Sequence, residues 1–316
     1  MLTQFSVNSA LGNRVYRATA SGVMLAAMVA TGPPVAAAPV FFEVGGSAAT
    51  SSIQPTVDAF RAALGDPNNM NAPGPLGSGR REINWDGGGP PVDANAPGGT
   101  PFNVFRDTRG GQFITDGTGF LQAPPSGGAQ NGLAGAFSNP TYGTTFGVFS
   151  PNRDFTPVGS TTTQGLFFIP GTNGGTPAEV SGFGAVFTDV DLGNSTEIEF
   201  FDRDGNLLTS RSVLAGSVAD ASLSFLGVTF NAGEKIAFIR ITTGTNPLAQ
   251  GVNDNPTAGI DLVVMDDFLF AEPVAAVPEP ASGTLLGGTA LALMGIRRWR
   301  RRGQRSGENL PVRRRA

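Results

Sequence analysis

The stretch Glu197-Ile198-Glu199-Phe200-Phe201-Asp202-Arg203-Asp204-Gly205-Asn206-Leu207-Leu208 carries the clearest fold signal in the chain. Polar and apolar residues alternate at its start, a turn rich in Asp, Gly and Asn follows, and the chain then becomes apolar again. Alternation with a period of two predicts a strand, and two strands around a short Gly-containing turn predict a β-hairpin. An antiparallel all-β fold is therefore the first expectation.

The region 102–274 continues this pattern with short apolar runs separated by Gly, Pro, Asn and Asp. Candidate strands are 112–115, 119–122, 145–149, 165–169, 182–190, 196–202, 207–213, 222–230, 236–243 and 261–270. Short strands with turn residues between them predict an antiparallel β-sandwich or jelly roll, and helix-period segments are absent from this region.

One helix is expected before the strands, over 55–64. Pro55 suits a first helical turn and Gly65 suits the C-terminal stop. Three apolar residues share one face that would pack on a sheet: Val57, Phe60 and Leu64. We expect the segment 38–101 to contribute this helix and an ordered loop to the same domain as the sandwich.

The composition excludes several kinds of chemistry. The chain has no cysteine and no histidine, which removes disulfides, thiolate nucleophiles, Ser-His-Asp catalysis and histidine-ligated metals. Between 38 and 280 there are 24 acidic and ten basic residues, a net charge of −14. An acidic domain of this kind repels nucleic acid and suits an extracellular protein or a cation binder.

The N-terminal segment 1–37 has the pattern of a cleavable secretory signal peptide. Arg14 and Arg17 precede the apolar run 23–30, and small residues follow it. Val35 and Ala37 are placed for cleavage before Ala38. This predicts export through the inner membrane.

The C-terminal segment 277–302 carries a second address. Pro278-Glu279-Pro280 is followed by the apolar run 281–296 and then by a cluster of arginines at Arg297, Arg298, Arg300, Arg301 and Arg302. This order resembles the PEP-CTERM sorting signal of exported bacterial proteins. The resemblance implies transient insertion in the inner membrane, processing by an exosortase, and a Gram-negative host that makes extracellular polysaccharide. A single-span anchor is the alternative, although the run is shorter than the roughly 20 residues of a permanent span, and the basic tail 303–316 is longer than usual.

Two pairs of acids are candidate metal ligands. Asp189 and Asp191 lie on one face of a strand end, and Asp266 and Asp267 interrupt a very apolar strand. A buried carboxylate is costly unless it is hydrogen-bonded or bound to a cation, and ligation by oxygen alone favours Ca²⁺. The alternative is a carboxylate that accepts backbone N–H groups. The Asp-x-Asp-x-Asn spacing at 202–206 is better explained as a hairpin turn.

The densest polar and aromatic cluster is a candidate glycan site, with Arg80, Arg81, Asn84, Trp85 and Asp86. An aromatic face stacks on sugar C–H groups, and planar polar groups pair with hydroxyls. The alternative is that Trp85 is a core residue and that the arginines pair with acids to hold a long loop in place.

A glycan hydrolase would need two carboxylates at a defined separation. Glu82 with Asp86, or Glu197 with Glu199, are candidates, but no pattern selects them. Glu197 and Glu199 are better explained as the solvent face of a strand.

A wider resemblance covers nearly the whole mature chain. The segments 57–61, 79–87, 182–191 and 265–268 look like a group of uncharacterised exported bacterial proteins, many with the same C-terminal signal. Asp-Asp-Phe at 266–268 also resembles the last strand of some extracellular carbohydrate-binding sandwiches that hold Ca²⁺. Three functions follow as hypotheses: a non-enzymatic surface or matrix protein that binds extracellular polysaccharide, a carboxylate-dependent glycan hydrolase, and a purely structural or adhesive protein.

Overall fold

The computed structural model of the chain describes residues 38–87, 91–217 and 220–276. The predicted signal peptide 1–37, the sorting segment 277–302 and the tail 303–316 lie outside the described residues. Within the three described ranges, none of the helices has the length and apolar character needed to cross a membrane.

The described ranges contain fifteen strands and three α-helices. The helices are α1 Gln54–Leu64, α2 Gly132–Ala136 and α3 Tyr142–Thr145. The strands are β1 Val40–Gly45, β2 Arg80–Ile83, β3 Ala96–Gly98, β4 Gly111–Ile114, β5 Gly119–Ala123, β6 Asp154–Val158, β7 Thr162–Phe167, β8 Ala178–Glu179, β9 Gly182–Thr188, β10 Glu197–Phe201, β11 Leu207–Ser212, β12 Leu223–Thr229, β13 Phe238–Thr242, β14 Val264–Ala271 and β15 Val274–Ala275.

The strands form antiparallel sheets. The largest has eight strands in the order β1-β12-β9-β14-β6-β5-β3, with β2 also paired to β14. A second sheet has five strands in the order β11-β10-β13-β7-β4, and β15 pairs with β8 in a small two-stranded sheet. The hairpin predicted over 197–208 is β10–β11, with Glu197 opposite Ser212. The expected all-β, sandwich-like fold is thereby confirmed.

Aromatic side chains fill the space between the two large sheets. From the five-stranded sheet, Phe113 lies 5.4 Å from Phe268 and Phe167 lies 5.3 Å from Phe270, measured between ring centroids. All four rings are buried. Because successive strand residues point to opposite faces, Phe268 and Phe270 share the inner face of β14.

Helix α1 covers the outer face of the eight-stranded sheet, as expected. Its three predicted apolar residues are buried, and Phe60 contacts Phe42 and Phe225 at 5.4 Å. The ring of Phe60 rests on Gly184 and Gly227, which pair across β9 and β12. A Cβ atom at either glycine would come within 2.8 Å of this ring, so the close approach requires glycine.

The strand expected at 145–149 is wrong, since Thr145 ends α3 and 146–149 is loop. Phe146 and Phe149 are buried in this loop. Their apolar character was read as a strand, although they have no strand partner. Helices α2 and α3 also went unpredicted, because four or five residues are too few to show a helical period.

The chain enters and leaves the eight-stranded sheet at the same end. Strand β1 begins, and β14 ends, beside the first residues of β9, Gly182 and Phe183. At the other end of β9, Thr188 pairs with Leu223 and Val264, the first residues of β12 and β14. The loops that lead from β9 and into β12 and β14 therefore meet at that far end.

Candidate functional site

The predicted glycan site is built around a tryptophan that solvent does not reach. Trp85 is fully buried, and its ring stacks on Phe155 with centroids 3.8 Å apart and an interplanar angle of 2°. Its indole Nε1 donates a hydrogen bond of 2.9 Å to the carbonyl of Asp266. Trp85 is therefore a core residue, and the stacking role expected for it in a glycan site is wrong.

The two neighbouring arginines hold a loop in place. Arg81 is fully buried and binds both carboxylate oxygens of Glu272, at 2.6 and 2.7 Å. Its Nη1 also donates to the carbonyls of Met70 and Ala72, each at 2.7 Å. Arg80 forms ion pairs with Asp66 and Glu82. Through these contacts the two arginines fix the segment between α1 and β2.

The remaining two predicted glycan residues lie after β2. Asn84 is exposed and donates a hydrogen bond of 3.0 Å to the carboxylate of Asp86. Asp86 also accepts a hydrogen bond of 2.9 Å from the backbone N–H of Asn152. Burial raises the pKa of Asp86, and the backbone hydrogen bonds from Asn152 and Arg153 oppose that rise. Asn84 and Asp86 thus pair with each other beside a buried tryptophan.

The predicted metal ligands in β14 are engaged by neighbouring groups. Asp266 is fully buried, and its Oδ2 accepts the backbone N–H groups of Phe149 and Ser150, at 2.5 and 3.2 Å. Asp267 accepts the Ser150 hydroxyl at 2.5 Å and lies 3.7 Å from the guanidinium of Arg61. Asp266 therefore accepts backbone N–H groups, as the alternative interpretation predicted.

The other predicted pair forms part of a group of three carboxylates, which we call the acidic cluster: Asp189, Asp191 and Asp254. One carboxylate oxygen from each lies within 4.8 Å of the others. Asp266 and Asp267 do not belong to this group in the described part of the chain. Sequence reasoning missed Asp254, whose signal is the Asn-Asp-Asn run at 253–255 shortly before β14.

The backbone positions each member of the acidic cluster. Asp189 follows β9 and has a positive φ of 67°. Its N–H donates a hydrogen bond of 2.7 Å to the carbonyl of Ser222. Asp254 is fixed by the N–H of Leu262, which donates 2.8 Å to its Oδ1. The buried carboxylate of Asp261 accepts a hydrogen bond of 3.2 Å from the N–H of Asp191 and so fixes the backbone at Asp191. The cluster thus sits at the far end of the eight-stranded sheet.

Burial is the largest influence on the pKa values in the acidic cluster, and the neighbouring carboxyls add to it. Asp189 is 1 % exposed, and neither of its carboxylate oxygens has a hydrogen-bond partner among the described residues. Burial, and then the carboxyls of Asp191, Asp254, Asp220 and Asp261, raise the pKa of Asp189 to about 9. Burial, and then the carboxyls of Asp254 and Asp261, raise the pKa of Asp191 to about 6. Converging carboxylates without basic partners can hold a proton or a cation.

Comparison of the chain with protein-family models, with curated proteins and with solved structures found no match.

Proposed function

We propose that the chain is an exported surface or extracellular-matrix protein whose all-β domain has a structural or adhesive role without catalysis. The observation that carries the proposal is the order of motif, apolar run and arginine cluster in 277–302, together with the secretory pattern in 1–37. In this proposal the arginines remain on the cytoplasmic side. The Pro278-Glu279-Pro280 motif is then presented outside for cleavage by an exosortase.

The engagement of the nominated hydrolase residues supports a non-enzymatic role. Glu82 receives hydrogen bonds from Arg61 at 3.0 Å and from Arg80 at 2.6 Å. Glu199 is paired with Arg240 through both carboxylate oxygens. A general acid or nucleophile has to reach its substrate, and these carboxylates are already held by guanidinium groups.

The sorting proposal is tested by expressing the full chain in a Gram-negative host with and without its exosortase. We expect surface protein that has lost the C-terminal segment, and retention of that segment in the host without the enzyme. Substitution of all three motif residues (Pro278, Glu279, Pro280) by Ala should also retain the segment, whereas Glu308→Gln, beyond the arginines, should not. Identical intact mass and location in both hosts would contradict the proposal.

Polysaccharide binding is a second candidate, favoured by the outer face of the five-stranded sheet. Phe201 and Phe238 stack there at 4.6 Å, and the guanidinium of Arg240 lies 5.3 Å from the Phe201 ring. A shallow pocket beside them includes Gln164 and Asp116. Aromatic faces, a guanidinium and an amide are the groups that contact sugar rings and hydroxyls.

This candidate is tested by retention of the full chain on the host's own extracellular polysaccharide. Arg240→Ala and Gln164→Ala should each reduce the retained fraction, while Arg211→Ala, at another exposed arginine, should leave it unchanged. If the wild-type chain is not retained, the structural and adhesive role remains the proposal.

A further inference from the structure

Asp189 is a buried acid for which the described protein supplies no partner. Among the described residues, neither of its buried carboxylate oxygens has a hydrogen-bond partner, nor does the buried Oδ1 of Asp191. A buried charge is normally paired, hydrogen-bonded or bound to a metal, because its desolvation is expensive. These oxygens therefore indicate a missing partner.

The neighbouring residues show that the backbone could have satisfied such an acid. Asp261, beside the cluster, accepts the N–H groups of Asp191 and Leu192 at 3.2 and 3.1 Å and also the hydroxyl of Ser195. Asp189 receives no such donor among the described residues, although it is as deeply buried as Asp261. One of its carboxylate oxygens lies instead within 4.8 Å of an oxygen of Asp191 and of an oxygen of Asp254.

We infer that Asp189, Asp191 and Asp254 are the protein ligands of a single Ca²⁺ ion. This inference concerns the folded domain and does not depend on export or sorting. A separation of up to 4.8 Å between ligand oxygens fits an ion bound at about 2.3–2.6 Å from each oxygen. Asp191 and Asp254 are half-buried, so water can reach the ion and complete its coordination.

The ligand chemistry selects Ca²⁺ among the common ions. Zn²⁺ and Cu²⁺ sites use His and Cys, which this chain lacks. Mg²⁺ is usually held by one or two carboxylates and keeps most of its water. Three convergent carboxylates, with Asp220 and Asp261 adding to the negative field, suit a larger ion with more protein ligands.

The ion would join two segments that are distant in the chain. Asp189 and Asp191 lie directly after β9, and Asp254 lies in the loop that precedes β14. Binding would fix this loop against the end of the sheet. The expected consequence is a calcium-dependent gain in thermal stability.

The experiment is a pair of measurements on the full chain after treatment with chelator. Equilibrium dialysis with Ca²⁺ should give one ion per chain. A thermal melt should show a rise in Tm of about 5–10 °C at a free Ca²⁺ concentration about 100 times Kd. Mg²⁺ at the same concentration should give a clearly smaller rise.

Asp189→Asn and Asp254→Asn test the ligands, and Asp204→Asn is the matched control. Asn tolerates the positive φ at position 189, and Asp204 is an exposed hairpin residue outside the cluster. Both cluster variants should lose the bound ion and the rise in Tm, while the control keeps both. Far-UV circular dichroism in chelator would establish that the variants are folded.

Absence of bound Ca²⁺ in the wild-type chain would overturn the inference. A full calcium-dependent rise in Tm in both folded cluster variants would also overturn it. Equal rises with Mg²⁺ and Ca²⁺ would overturn the choice of ion.

Discussion

Two regions of this molecule bury charge in opposite ways. The arginine network comprises Arg80 and Arg81 with the acids that they bind. Its central pair is Arg81–Glu272, joined by two hydrogen bonds, and Arg81 also donates to two backbone carbonyls. Within the described ranges, the acidic cluster gathers carboxylates with no basic partner, and the oxygens of Asp189 are unpaired. Burial alone therefore does not distinguish a structural ion pair from a binding site. Unpaired oxygens alone do not either, since buried Asp154 also has two among the described residues. What sets the acidic cluster apart is that three carboxylates converge around the unpaired one.

The largest effect should come from breaking the arginine network. Arg81→Met leaves Glu272 buried without its guanidinium partner, and we expect the free energy of unfolding to fall by about 3–5 kcal/mol. Urea denaturation measures this change. The double variant Arg81→Met/Glu272→Met should recover much of the loss, because neither charge then remains unpaired. A single variant as stable as the wild type would remove the contrast between the two regions.

Two substitutions of the same type should shift stability in opposite directions near the acidic cluster. In chelator, Asp261→Asn should lower the free energy of unfolding by about 1–3 kcal/mol, since an amide group would face N–H and O–H donors. Asp189→Asn should raise it, because an uncompensated buried carboxyl is removed. Urea denaturation of both variants measures the two signs. Equal losses would show that Asp189 is as well satisfied as Asp261.

Asp154 gives a pH test outside both regions. Burial raises the pKa of Asp154 well above its usual range. The folded chain then holds a proton that the unfolded chain has lost, so stability falls as pH rises from the ordinary pKa of about 3.9 toward the raised one. Asp154→Asn should flatten this fall by up to about 1.4 kcal/mol per pH unit. Urea denaturation between pH 5 and 8, in chelator, measures the slope, and an unchanged slope would contradict the assignment.

The smallest change in the free energy of unfolding is expected from breaking an exposed ion pair, Arg211–Glu43. Arg211 binds both carboxylate oxygens of Glu43 at 2.7 and 2.6 Å, with 45 % of its side chain exposed. Arg211→Ala should change the free energy of unfolding far less than Arg81→Met does, because solvent screens the exposed pair. A loss as large as that of Arg81→Met would show that burial is not what separates them.

Sequence predicted two kinds of strand: those with clean alternation, and the mostly apolar runs that form β9, β12 and β14. The hairpin β10–β11 has the alternation, since buried Ile198 and Phe200 alternate with half-buried Glu197 and Glu199. Strands β3 and β6 contain Pro97 and Pro157, and proline argues against a strand when only the sequence is read. Their pairing with β5 depends on tertiary contacts that local pattern does not carry.

The candidate site was only half accessible to sequence reasoning. Asp189 and Asp191 are two residues apart, and strand geometry predicted that they share a face. The structure brings them together in the loop after β9 instead, where Asp189 has a positive φ. Asp254 joins them only because β14 pairs with β9, which no local signal reveals. Trp85 shows the reverse difficulty, since its polar neighbours suggested a binding site and its packing on Phe155 makes it core.

The shared entry and exit of the chain give the domain a near and a far tip. While its C-terminal segment still holds it at the membrane, before the proposed cleavage, the protein would carry the acidic cluster at the far tip, beyond the seven residues of β9. At about 3.3 Å per residue, that length is roughly 20 Å. The Debye length at physiological ionic strength is only about 8 Å. A cation site at this height would sample bulk solution rather than the counter-ions concentrated at the lipid surface.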